Sequence, residues 1–265
     1  MPFIQTNMGQ LHYQLETAAG NEKAPVLVMS NSLGTNMDMW LPQVPALLEH
    51  FRVLRYDTRG HGRSDVSPGP YTIAQLGADV LTLLDQLQIQ RAHFCGLSMG
   101  GMTGMWLGIH APNRIDRLAL CNTSAAIGLP EVWNARISKV RQEGMASIID
   151  TVLDRWFTPD FLAHAPAQVE RVRRMLADTP VEGYVANCAA VRDMDQRAEL
   201  PQIAAPTLVI AGRYDKSTPP EHGELIARAI PGAQYVVLNA AHLSNWEAAQ
   251  AFTQNVLDFL RNEKV

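Results

Sequence analysis

Six short apolar runs mark this chain, most of them continuous Val, Leu and Ile rather than alternating: PVLVMSN (25–31), RVLRYD (52–57), RAHFCGL (91–97), DRLALCN (116–122), PTLVIAG (206–212) and AQYVVLN (233–239). A strand with one wet face alternates polar and apolar residues, whereas a strand covered on both faces does not. Helix-length periodic stretches separate the runs. In TIAQLGADVLTLLDQLQ (72–88), residues Ile73, Leu76, Val80, Leu83, Leu84 and Leu87 share one face. Strands alternating with helices imply right-handed crossovers and an α/β fold with a mostly parallel, doubly wound sheet. LHYQLETA (11–18) alternates instead, so it is expected to be antiparallel at or near a sheet edge. A last helix is expected from Ser244, as N-cap, to Leu260, with Trp246, Ala249, Phe252, Val256 and Phe259 inward.

The rhythm breaks once. Residues 129–200 contain no convincing strand, only helical segments carrying Trp133, Trp156, Phe157, Phe161 and Tyr184. The expected organisation is therefore a core of residues 1–128 and 201–265 with a helical cap, 129–200, inserted between two core strands. A chain of 265 residues, 47% hydrophobic, can bury a core of that size.

Charge and motifs narrow the function. The net charge is −4 and no stretch concentrates Lys and Arg, which argues against a nucleic-acid or anionic-membrane partner. No apolar run approaches the roughly 18 residues of a membrane span, and MPFIQTNMGQ lacks a basic region followed by an apolar one. Cys95, Cys121 and Cys188 cannot all pair with one another and show no metal-ligand spacing, so a reducing, cytoplasmic setting is expected. HExxH, CxxC and phosphate-binding loops are absent from the sequence, so no metal, nucleotide or other cofactor is expected. Oligomeric state is not set by anything in the sequence.

The run 91–97 ends in HFCGLSMGG, where Ser98 stands between Gly96 and Gly100. The next stretch, MGGMTGMWLGIHAP, is apolar on every face and reads as a buried helix. A sharp strand-to-helix turn forces its middle residue into strained angles and needs neighbours almost free of side chain, which is the mechanical content of G-x-S-x-G. Such a turn lifts a serine hydroxyl clear of the sheet at a helix N-terminus. A serine needs a base, and the base needs an orienting acid. Asp215 follows the strand PTLVIAG and His242 follows AQYVVLN, in the order Ser, Asp, His and at C-terminal strand ends. The plainer readings are a turn residue for Asp215 and a solvated loop side chain for His242. His61, in DTRGHGRS, is expected to shape its loop, and His12, His50, His164 and His222 have no suitably placed acid or nucleophile in the sequence. Backbone N–H groups of Met99, directly after Ser98, and of Leu33, in SNSLGTNMDMW, are the expected oxyanion donors.

Over nearly its whole length the chain resembles the α/β-hydrolase superfamily, through NSLGTNMDMW, YDTRGHGRSD, GLSMGG, AGRYD and the final AAH in that order. Asn31-Ser32-Leu33-Gly34 together with GLSMGG resembles the branch of 3-oxoadipate enol-lactonases from bacterial aromatic catabolism. The resemblance implies a cofactor-free hydrolase of a small lactone or ester, with Ser98, Asp215 and His242 as triad. A related carboxylesterase, carbon–carbon bond hydrolase or perhydrolase, or a non-catalytic small-molecule receptor, stays open on the sequence alone. An enol-lactone of that kind carries an acetate arm. The cap is therefore expected to offer a cation or several donors, and Arg136 and Lys139 are expected to share a helix face with Trp133 by three-and-four spacing, the plainer reading being charges that solvate the outer face of the cap.

Overall fold

The computed structural model describes residues 2–261. Its strands are β1 (Phe3–Thr6), β2 (Gly9–Glu16), β3 (Val26–Ser30), β4 (Arg52–Tyr56), β5 (Ala92–Leu97), β6 (Ile115–Cys121), β7 (Thr207–Gly212) and β8 (Gln234–Leu238). They form one sheet in the order β1-β2-β4-β3-β5-β6-β7-β8. Pairing is parallel from β4 through β8 and antiparallel for β1 with β2 and β2 with β4. The six apolar runs are the six parallel strands, each within one residue of its expected ends. Every residue of β3, β5 and β7 is buried, which is why none of them alternates. LHYQLETA lies mostly in β2, antiparallel and one place in from the edge. The edge strand itself, β1, has four residues and one buried face, too short a signal to stand out from its surroundings.

The helices of the first half are α1 (Val44–Leu48), α2 (Ile73–Gln86) and α3 (Met99–His110). Thr72 caps α2 through the N–H of Gln75, whose side chain returns the bond to the Thr72 N–H. The stripe expected on this helix is buried, apart from Leu87 at its C-terminal end. α3 is buried on nearly every face, between β3, β5, β6 and α2. A Cβ on Gly77 of α2 would stand 2.0 Å from the Trp106 ring, so that glycine sets how closely α2 and α3 approach.

Between β6 and β7 the chain runs through α4 (Pro130–Glu143), α5 (Ile149–Trp156), α6 (Pro159–His164), α7 (Pro166–Ala177) and α8 (Val181–Arg192). A single bridge, Ala126 to Asp195, ties together the two ends of this insertion. Its buried side chains, among them Val140, Val172, Leu176 and Tyr184, join the same apolar cluster as the sheet. The chain closes with α9 (Pro220–Ala229), α10 (Ser244–Glu247) and α11 (Ala249–Arg261).

One expectation needs correcting here. The C-terminal helix is not continuous from Ser244: it breaks at Ala248, and Ser244 caps nothing. The Ser244 hydroxyl instead donates to Asn122 Oδ1 at 2.6 Å, a partner 122 positions away that local reading has no means of seeing.

The turn between β5 and α3 is where the fold is tightest. Ser98 has φ 57° and ψ −116°. A Cβ on Gly96 would lie 2.2 Å from the Gly100 carbonyl oxygen, and one on Gly100 would lie 2.1 Å from the Ser30 carbonyl oxygen. Both collisions are with backbone, which cannot swing aside. Gly100→Ala should therefore destabilise the protein by at least the ~1–3 kcal/mol of ordinary overpacking. Urea unfolding of the purified variant checks this, and a midpoint equal to that of the wild type would contradict it.

Candidate active site

β5 delivers Ser98 to the top of the sheet, and the turn holds it there. The Ser98 N–H donates to the Cys121 carbonyl at 2.9 Å, and its own carbonyl accepts from Thr123 Oγ1 at 2.6 Å. The strained backbone is thus held from β6 and the segment that follows it. Ser98 is half-buried and lines a cavity with His242, Ser32, Leu33, Trp133 and Arg136. Among the described residues no hydrogen bond joins Ser98 Oγ to His242. Such contacts are commonly long until substrate closes them.

The structure brings Asp215 and His242 together. His242 Nδ1 lies 2.8 Å from Asp215 Oδ2, with both side chains almost fully buried. Asp215 Oδ1 accepts from the N–H groups of Ser217 at 2.7 Å and Thr218 at 2.9 Å, while Oδ2 also accepts from Thr218 Oγ1 and Asn122 Nδ2. Burial pushes this carboxyl up, but the His242 imidazole and the surrounding donors outweigh it and hold Asp215 below its ordinary value. An ionised Asp215 accepts from Nδ1–H, which leaves His242 Nε2 as the proton acceptor. The plainer reading of Asp215 as a turn residue is also true: one oxygen organises the turn and the other orients the histidine.

Asn122, at the end of β6, has φ 43° and was not singled out by sequence. Its Nδ2 donates to Asp215 Oδ2 and to the Ala241 carbonyl, both at 3.1 Å. The carboxylate and the histidine loop are thereby joined through one amide. Nothing in the local sequence marks Asn122, because its partners Asp215 and Ala241 lie 93 and 119 positions away.

Of the two expected oxyanion donors, Leu33 lines the cavity, while Met99 directly follows Ser98 as the first residue of α3. Among the described residues neither the Leu33 N–H nor the Met99 N–H has a protein acceptor. The loop bearing Leu33 is held on both sides. Thr35 Oγ1 donates to the Ser32 carbonyl at 2.8 Å, and the Gly34 N–H donates to His61 Nε2 at 2.8 Å. His61 therefore shapes more than its own loop. It is fully buried, and burial lowers its pKa to about 4, partly offset by the Arg59 carbonyl and Asp57. The neutral ring keeps Nε2 as an acceptor.

Trp133 and Arg136 stand together on α4, the Arg136 guanidinium 5.2 Å from the indole centroid, and both line the cavity. Arg136 makes no ion pair with a carboxylate among the described residues. Lys139 is a correction: it is exposed and does not line the cavity. Six residues carry Lys139 about 120° around the helix from Trp133. Val140 comes back to the inner face and is buried. His12 is a second correction, because its Nδ1 lies 2.7 Å from Asp57 Oδ2 in a buried pair beneath the loop of Met37, whose N–H Asp57 also holds. A larger cleft of about 680 Å³ opens beside Phe157, Phe161, Tyr214 and Glu247, but it includes neither Ser98 nor His242. No cluster of three His, Cys, Asp or Glu able to hold a metal occurs among the described residues. Nor is any helix among them long and apolar enough to cross a membrane.

A family model described as alpha/beta hydrolase fold matches residues 25–249. 3-Oxoadipate enol-lactonase 2 of Acinetobacter baylyi is 45% identical over 237 residues, spanning 89% of each chain. 3-Oxoadipate enol-lactonase 1 of the same organism is 43% identical over 243 residues, 92% of this chain and 91% of its own. Among solved structures, the enol-lactonase from Burkholderia xenovorans LB400 superposes with a TM-score of 0.96 at 52% identity, covering 98% of this chain and 99% of its own.

Two outcomes follow from this geometry. Asp215→Asn keeps the shape of the site but cannot hold His242 in the same tautomer, so kcat on an activated ester should fall by about 10⁴ with the fold intact. Steady-state kinetics beside circular dichroism check this; near-normal turnover would mean that another acid orients His242. His61 is neutral when folded and protonates near pH 6.5 when unfolded. Stability should therefore be full above that pH and fall by about 2 kcal/mol by pH 5, on its way to the folded value of about 4. His61→Gln should unfold in urea with a visibly flatter dependence between pH 7 and pH 5, and an unchanged slope would contradict the assignment.

Proposed function

The chain belongs to the α/β hydrolase fold family, and from that premise we propose that it is a serine hydrolase opening 3-oxoadipate enol-lactone to 3-oxoadipate. The enol-lactonases named above, alike over nearly the full length, support the substrate. The observation that carries the chemistry is the buried Asp215–His242 pair facing, across one cavity, a serine raised on a strained turn.

In this reading neutral His242 takes the Ser98 Oγ proton on Nε2 as Oγ attacks the lactone carbonyl. The N–H groups of Leu33 and Met99 receive the resulting oxyanion, in a site where Met99 opens α3 and its dipole favours negative charge. Collapse breaks the ring carbon–oxygen bond. The departing enol oxygen takes the proton back from His242 and the enol tautomerises to a ketone. An enol leaves more readily than an alkoxide, so this step asks less of the acid. Water then gives its proton to His242 and adds to the acyl carbonyl; as the acyl carbon–Oγ bond breaks, His242 returns that proton to Ser98 Oγ and the open oxo-diacid leaves.

The insertion at residues 129–200 acts as a cap in this account. Its α4 supplies Trp133 against the small ring, and Arg136 is the substrate-carboxylate partner. A half-buried guanidinium without a carboxylate of its own, beside an indole face, suits one anionic arm. The three cysteines are unpaired and buried, which fits a reducing, cytoplasmic compartment and a place in aromatic-compound breakdown.

Purified protein should hydrolyse the enol-lactone far faster than simple alkyl esters. Efficient alkyl-ester turnover with an untouched enol-lactone would replace this reading with that of a carboxylesterase. Arg136→Ala should raise KM for the acid substrate about tenfold or more, as expected for losing a charge-assisted pair, while changing KM for its neutral methyl ester little. Equal effects on both would remove Arg136 from carboxylate recognition.

A further inference from the structure

His242 sits in a loop whose backbone is fastened on both sides. The Leu243 N–H donates to the Trp156 carbonyl at 3.1 Å, and the Ala241 N–H donates to Glu247 Oε2 at 2.8 Å. Both fastenings lead to the same short stretch of the insertion. Trp156 ends α5, lines the catalytic cavity, and has its ring 6.0 Å from the His242 ring. Two residues on, Thr158 caps α6, and its hydroxyl donates to Glu247 Oε1 while its N–H lies 3.4 Å from both carboxylate oxygens.

Glu247 is well placed to serve as an anchor, because α10 is itself immobilised. Asn245 Nδ2 and Trp246 Nε1 donate to the Met39 carbonyl at 2.8 and 2.7 Å, and Gln43 Nε2 donates to the Asn245 carbonyl at 2.6 Å. One half-buried carboxylate on a fixed helix thus receives a donor from the histidine loop and donors from the cap. It faces the outer cleft rather than the cavity that holds Ser98, so it does not meet the reacting atoms.

We propose that Glu247 is a positioning residue that sets the placement of His242 and couples it to the cap through Thr158. Removing it frees the Ala241 N–H and lets the loop relax at the residue next to the catalytic base. Displacements of about 1 Å in such a group can cost about 10² in rate. A glutamine turns one of the two acceptor oxygens into a donor, so the Ala241 N–H and the Thr158 N–H can no longer each face a carboxylate oxygen, and the Thr158 hydroxyl must reverse to accept. The proposal rests on the triad reading and is independent of which lactone or ester is the natural substrate.

The test uses the full chain and two probes that do not depend on the natural substrate: the second-order rate at which a fluorophosphonate labels Ser98, and kcat and KM for p-nitrophenyl acetate. Glu247→Gln should label about 10²-fold more slowly, with kcat falling in step and KM within about twofold. Thr158→Val should label several-fold more slowly, and the double variant no more slowly than Glu247→Gln alone, since both act through one contact. The loss of the α6 cap in Thr158→Val belongs in Tm, not in the labelling rate. A fall in Tm for Glu247→Gln with unchanged labelling would make the residue merely structural and overturn the proposal. Additive effects in the double variant would overturn the coupling to the cap. If Glu247→Gln does not fold, Thr158→Val decides alone, and normal labelling in it would count against the proposal. Wild-type protein that takes no label would sink the triad reading, and Glu247 with it.

Discussion

At the β5–α3 turn three backbone segments meet with no room for a side chain, and the positions of the other site residues follow from that meeting. Gly100 lies against the Ser30 carbonyl, so the end of β3 and the start of α3 are locked together. The loop that carries Leu33 begins one residue beyond Ser30, and Met99 opens the helix. The same close approach therefore sets Ser98, the proposed nucleophile, and both of its expected oxyanion donors. Positive φ at Ser98 costs on the order of 1–3 kcal/mol, and it is sustained because the turn is bonded from β6 and buried on nearly all sides.

Parallel strands bring the rest. Every loop at the C-terminal end of β3, β5, β6, β7 and β8 contributes a group: Leu33, Ser98, Asn122, Asp215 and His242. What makes them one site is a set of bonds between loops. Asn122 joins Asp215 to the Ala241 carbonyl, Glu247 joins the Ala241 N–H to Thr158, and His61 joins the Gly34 N–H to the loop after β4. Asn187 of α8 donates to the Arg59 carbonyl at 2.8 Å, so the inserted helices also lean on that last loop. The helices between β6 and β7 share one apolar cluster and several polar ties with the rest of the chain.

Much of this was readable from sequence because burial leaves a strong local trace. Strands covered on both faces show as unbroken Val, Leu and Ile, and the glycines around Ser98 mark a steric need that few other turns have. Chain order then pointed to Asp215 and His242. The partners that align these groups were not readable. Asn122, Thr158 and Glu247 are ordinary polar residues; the bonds of Asn122 to Ser244 and of Thr158 to Glu247 span 122 and 89 positions, and the six-residue step from Ala241 to Glu247 carries no motif. His12 looked isolated because its acid, Asp57, lies 45 residues on. Lys139 shows a different limit: three-and-four spacing is sound for one step but drifts off the face over two. The break at Ala248 had no Pro or Gly to announce it.

The central claim is that Ser98 forms and breaks the bond to the substrate carbonyl. Its most direct test is the turnover of 3-oxoadipate enol-lactone by Ser98→Ala, measured on protein shown by circular dichroism to be folded. The account predicts that kcat falls by a factor on the order of 10⁵ or more, leaving only what the oxyanion donors and binding supply. A folded Ser98→Ala protein that retained activity within about tenfold of the wild type would contradict it.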